Sequence, residues 1–278
     1  MRYLIKAELN RLISTKLIWA LVIIYFILSL LNGALTGITT GNADWLVEIK
    51  DAFFMAAEDN GIALKSVIDI MENLMSTNQV STFNSFVQAN VSSNLMLMIS
   101  IFVGFFLLAQ KSSGYIKNMI PLRSRNEVLF SNIISLALFT AVLDIIYLIA
   151  MGIMWNIFFQ ESGIDGNTLW YLFVLFIITI LNALFIYSIC DMFKNPKVGM
   201  IIAVIYTAGF SKYMYKIVDI ILQAAQINTK IEMFLPLGIL SAINATEIKT
   251  VLIGGIFAVI YGAAAFFYLY RNSQRRDY

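Results

Sequence analysis

Six stretches of this chain are apolar and long enough to cross a lipid bilayer. They fall at about 17–38, 93–110, 129–157, 168–189, 196–212 and 249–270. A helical crossing needs roughly 20 mostly apolar residues, because the hydrocarbon layer is about 30 Å thick and a helix rises 1.5 Å per residue. The third stretch exceeds that length and must tilt or project. The fifth is the shortest. Sixty per cent of the 278 residues are hydrophobic and 13% charged, against about a quarter charged in a soluble domain. These features predict an all-α integral membrane protein, a single transmembrane domain over residues 1–278.

Lysine and arginine give the direction. The N-terminus carries Arg2, Lys6, Arg11 and Lys16. The connection after the second run carries Lys111, Lys117, Arg123 and Arg125. Lys194 and Lys197 follow the fourth run, and Arg271, Arg275 and Arg276 follow the sixth. With six crossings, these 13 of the 19 basic residues share one side. The positive-inside rule makes that side the cytoplasm and places both termini there. The first run has the basic front of a signal peptide. Its lead-in and apolar length favour an uncleaved anchor.

Outside the runs, several pieces carry helical patterns. In "MRYLIKAELNRLISTK", Ile5, Leu9, Leu12 and Ile13 share a side. This predicts an interfacial helix in the headgroup layer. The external connection 39–92 holds seven acids against Lys50 and Lys65. Leu64, Val67, Ile68, Met71, Leu74 and Met75 recur there at helical spacing, which predicts a folded helical cap. Residues 213–248 include "EMFLPLGILSAI", apolar but broken by Pro236 and Gly238 and too short to cross. A re-entrant or interfacial element of short helices is expected before the last span.

Chemistry-bearing motifs are few. There is no histidine, which removes His-based metal sites, Ser-His triads and His general bases. There is no phosphate-binding G-x-x-x-x-G-K-[ST] loop. Cys190 is the only cysteine. No catalytic residue, metal site or nucleic-acid partner is expected.

Two places stand out. The cytoplasmic segment 111–128 alternates apolar Tyr115, Ile116, Met119, Ile120 and Leu122 with basic residues. Pro121 supplies a turn. Ser124 and Glu127 form an N-cap signature for the next helix. Such a wet, rigid protrusion fits docking against a protein. The second place is Asp144, in the middle of the third run. A buried acid there is a functional candidate by default. Thr140, Asp144 and Tyr147 fall on one helical face, and Asn182 of the fourth run is a plausible partner. The competing reading is a neutral, hydrogen-bonded structural acid.

Three passages resemble the membrane subunit of type 2 ABC exporters, the group of drug, lantibiotic-immunity and peptide-toxin permeases. They are "LIKAELNRLISTKLIW", "SSGYIKNMIPLRSRNEVLFSNII" and "FLPLGILSAI". The family's middle passage is usually preceded by an acid and has threonine after its glycine. Here Gln110, Lys111, Ser112 and Ser113 precede Gly114, and Tyr115 follows it. The resemblance implies that Gly114 to Asn126 forms a coupling helix, with Gly114, Tyr115, Ile116, Lys117, Met119, Ile120, Pro121, Ser124, Arg125 and Glu127 at the contact. It implies a separate ATPase subunit holding ATP and Mg, a second permease copy or a homologous permease, and surrounding lipid. It also implies the bacterial plasma membrane and export of a lipophilic or amphipathic substrate, such as an antimicrobial or toxin-like peptide. Two other classes compete: a proton-coupled secondary transporter using Asp144, and a membrane hydrolase with Ser-Lys or dual-acid chemistry.

Overall fold

The computed structural model describes residues 2–49, 80, 82–91, 95–112, 124–160, 166–193, 195–224, 231–242 and 248–275. Among them the chain is helical, with no strand. The elements are α1 (Arg2–Ser14), α2 (Lys16–Thr40), α3 (Phe83–Asn90), α4 (Met96–Ser112), α5 (Arg125–Phe158), α6 (Gly166–Met192), α7 (Pro196–Ile205), α8 (Ser211–Ala224), α9 (Pro236–Ala242) and α10 (Ile248–Arg275). A π-helical turn, Tyr206–Phe210, joins α7 to α8, and a 3₁₀ turn, Ile231–Phe234, precedes α9.

Four helices, α2, α5, α6 and α10, are long and apolar enough to cross a membrane. Helix α5 has 34 residues, about 51 Å at 1.5 Å per residue, so it outreaches a hydrocarbon layer of about 30 Å. The outward faces of these helices are apolar. Ile23, Ile27 and Leu31 on α2, Ile145 and Ile149 on α5, and Ile256 and Val259 on α10 are all exposed. A belt of this kind would be insoluble in water and is at home in lipid. Helices α4 and α7 are apolar but shorter.

Small residues let the helices approach. A Cβ on Gly33 would lie 2.9 Å from Met154 Cγ, and one on Gly37 would strike the Phe158 ring. These contacts set the antiparallel register of α2 on α5. One on Gly262 would lie 2.5 Å from Leu181 Cδ2, where α10 packs on α6. Gly104 meets Met200 in the same way where α4 packs on α7. Close approach through small residues is how helices pack in lipid, where the hydrophobic effect no longer drives association.

The helices alternate between two ends of the bundle. At one end, Gln110 Nε2 of α4 donates to Asn132 Oδ1 of α5 at 2.8 Å. Gln274 Nε2 of α10 donates to Asn126 Oδ1 at 2.5 Å, and Arg125 donates to the Gln274 carbonyl at 2.6 Å. Asn272 Nδ2 donates to Asp191 Oδ2 at the end of α6 at 2.7 Å. At the other end, Trp45 Nε1 donates to the Ile157 carbonyl at 3.1 Å, and Asn42 Oδ1 accepts from Gln160 N–H at 3.2 Å. There α3 is clamped on α5. Phe86 lies edge-on to Trp155 and Phe159, each centroid 5.6 Å away, and Trp155 stacks on Phe159 at 3.9 Å.

One feature differs from the sequence expectation. The inward face of α1 is Leu4, Glu8 and Leu12, while Ile13 points out. Glu8 can be buried because Arg11 pairs with it at 2.8 Å, and the Arg11 guanidinium sits 5.9 Å from the centre of the Phe106 ring. Hydrophobic spacing alone does not register such a pair. Beyond the fifth apolar run, helix continues through the π turn to Ala224. Exposed Met214, Ile217, Ile220 and Ile221 extend its apolar stripe past Lys212 and Lys216. Pro236 opens α9, one of the short helices expected before the last span. α9 is only 7 residues long, with Ile239 and Leu240 fully enclosed. It is too short to cross. The spacing read over 64–75 lies outside the described residues.

Candidate functional sites

The first site is the end that carries α1 and the close of α10. Helix α5 begins where expected. Ser124 is its N-cap, and its hydroxyl accepts from Glu127 N–H at 3.3 Å. The reciprocal bond from the Glu127 side chain is not formed among the described residues, so the capping box is half-made. Arg125 is turned to α10 through the Gln274 carbonyl. The stems either side of residue 113–123 are thereby tied twice, α4 to α5 through fully buried Gln110 and α5 to α10 through Gln274. Gly114, Tyr115, Ile116, Lys117, Met119, Ile120 and Pro121 lie outside the described residues.

The second site is the interior between α2 and α5. Asp144 is buried at 5% exposure. The sequence places it with Thr140 and Tyr147, and all three do face inward. The Tyr147 hydroxyl, however, donates to the Val87 carbonyl of α3 at 2.8 Å. Asn182 is also buried, yet no hydrogen bond joins it to Asp144. The group on α2 that acts electrostatically on Asp144 is Tyr25. The register explains why. Gly37 opposes Phe158 and Gly33 opposes Met154 and Met151. Two further turns back along α2 bring Tyr25 level with Asp144. The two are close enough to act on each other electrostatically, and Tyr147 is within reach of Tyr25, Tyr171 and Asp144. Tyr25 and Ser29 sit mid-run one helical turn apart, the one signal in the sequence that α2 presents a polar face.

Neither oxygen of Asp144, nor the Thr140 hydroxyl, has a hydrogen-bond partner among the described residues. Beside them, Tyr25 also lines a narrow apolar cleft with Leu21, Val22, Met98, Phe102 and Leu143. Among the described residues no three potential metal-ligating side chains of His, Cys, Asp or Glu come together.

The fold and the apolar belt define the class: a helical protein of the membrane. No family model, no curated protein and no solved structure matches the chain.

Proposed function

We propose that this chain is the membrane-spanning permease subunit of an ATP-binding cassette exporter. In this reading it crosses the bilayer six times, with α4 and residues 196–212 as the two shorter crossings and both termini in the cytoplasm. A separate ATPase subunit binds ATP and Mg and docks on residues 111–128. A second permease copy, identical or homologous, completes the path, and the cargo is lipophilic or amphipathic, such as an antimicrobial or toxin-like peptide. The observation that carries the reading is the bracing of both stems of the docking segment. Gln110 joins α4 to α5, and Arg125 and Asn126 join α5 to α10. Force applied to a segment held in this way reaches three helices instead of being lost in a loose loop.

The energetics name the residues to test. Burying an apolar side chain such as Ile116 or Met119 in a partner's pocket is worth about 1.5–3 kcal/mol. An exposed rim charge such as Lys117 contributes under about 1 kcal/mol. Affinity purification of the tagged chain from its native membrane should therefore recover a P-loop ATPase. Ile116→Asp or Met119→Asp should abolish that recovery, and Lys117→Ala should reduce it modestly. Undiminished recovery by a folded Ile116→Asp/Met119→Asp double variant would refute the docking role.

A further inference from the structure

We infer that Asp144, together with the hydroxyls of Tyr25 and Thr140, is an internal site for one monovalent cation, a proton or a sodium ion, held between α2 and α5. The inference does not depend on the ATPase reading. An isolated carboxylate in an apolar interior is costly, and such groups survive by pairing or by taking up a proton. No lysine or arginine among the described residues acts on Asp144. The titratable groups that act with it are Tyr25 from α2 and Tyr147 on its own helix, and Tyr171 from α6 reaches Tyr147. Helix α4 brings Met98 and Phe102 to the neighbouring cleft, and α3 brings the Val87 carbonyl, already taken by Tyr147. Helix α1 lodges its Glu8–Arg11 pair beside Phe106, and α10 meets α5 near its start, at Phe130 and Arg125.

The donor set narrows the ion. One carboxylate and neutral hydroxyls are too little charge for calcium or magnesium, which favour several carboxylates or retained waters. Oxygen donors without sulfur or imidazole disfavour transition metals. Tyr25 is 1% exposed and Thr140 fully enclosed, so the site fits a small ion better than an organic ammonium. In the proton case, hydronium gives its proton to a carboxylate oxygen of Asp144 and leaves as water. In the sodium case, the carboxylate and hydroxyl oxygens replace part of the ion's hydration shell. Either occupant joins α5 to α2 through Asp144 and Tyr25.

Full-length protein in lipid nanodiscs tests this with two readouts. The first is the apparent Tm in sodium chloride against choline chloride at equal ionic strength. The second is the infrared carboxyl C=O band as pH moves between about 5 and 9. A sodium site gives a Tm rise on the order of 5 °C specific to sodium, abolished by Asp144→Asn. A proton site gives a carboxyl band that grows on acidification and disappears in Asp144→Asn. Asp144→Glu, which keeps the charge but moves it by one methylene, should weaken the sodium response or shift the band, and it serves if the asparagine variant fails to fold. A wild-type protein with no sodium-specific Tm rise and no titrating carboxyl band would overturn the inference. So would either signal surviving unchanged in the Asp144 variants.

Discussion

Replacing Gly199 by alanine should be a strongly damaging single-methyl insertion. Gly199 lies in the first turns of α7, against the last turn of α6. An added Cβ would collide with the Cys190 carbonyl oxygen and lie 3.0 Å from Cys190 Cα and 3.1 Å from its carbonyl carbon. Ordinary contact begins near 3.4 Å. Because these atoms are backbone, no rotamer change relieves the overlap, and α7 must move away from α6 by several tenths of an ångström. That also disturbs the Cys190 Sγ contact to the Gly199 carbonyl, 3.6 Å. Overpacking of this kind costs about 1–3 kcal/mol, and a backbone clash belongs at the upper end. A loss of about 3 kcal/mol lowers Tm by roughly 6–12 °C in a chain of this size. Two alanine variants bracket the effect. At Gly262 the nearest obstacle is the tip of Leu181, which can swing aside, so the cost should stay below about 1 kcal/mol. At Gly152 nothing lies within 4 Å, so alanine should be neutral or slightly stabilising. The assay is built into the chain. Cys190 is the only cysteine and is buried, so a thiol-reactive fluorophore reports the opening of the α6–α7 contact on heating. If Gly199→Ala melts within about 2 °C of Gly152→Ala, the packing argument is wrong.

Removing one partner of the α1 ion pair should destabilise more than removing both. Glu8→Gln strands Arg11, which is about one-quarter exposed. The expected loss is about 2 kcal/mol, below the 3–5 kcal/mol of a fully buried pair. Glu8→Gln/Arg11→Met should recover most of it in a thermal melt. Ser124→Ala removes the cap of α5 and should cost about 1 kcal/mol, and Ser124→Asp should restore it.

Long periodic apolar runs were the most legible part of the sequence. Burying twenty adjacent apolar side chains leaves little choice but helix in lipid, so α2, α5, α6 and α10 appear within a few residues of where the runs lie. Ser124 was legible because capping is local chemistry. What could not be read depends on pairing across space. Glu8 looks like a solvated charge until Arg11 and the Phe106 ring are placed beside it. Mid-run polarity points to Asn182 as the partner of Asp144, but helix register decides which groups face each other. That register follows from Gly33 and Gly37 seating on Met154 and Phe158. No local signal marks the π turn that joins α7 to α8, while the exposed stripe from Met214 to Ile221 is at helical spacing.

The docking role, the cytoplasmic termini and the six crossings stand or fall together on which side of the membrane three positions occupy. In a Cys190→Ser background, single cysteines at 44, 116 and 275 can be labelled in intact cells with a membrane-impermeant maleimide, and again after permeabilisation. The account predicts immediate labelling at position 44 and labelling at positions 116 and 275 only after permeabilisation. Labelling of position 116 or 275 in intact cells would contradict it.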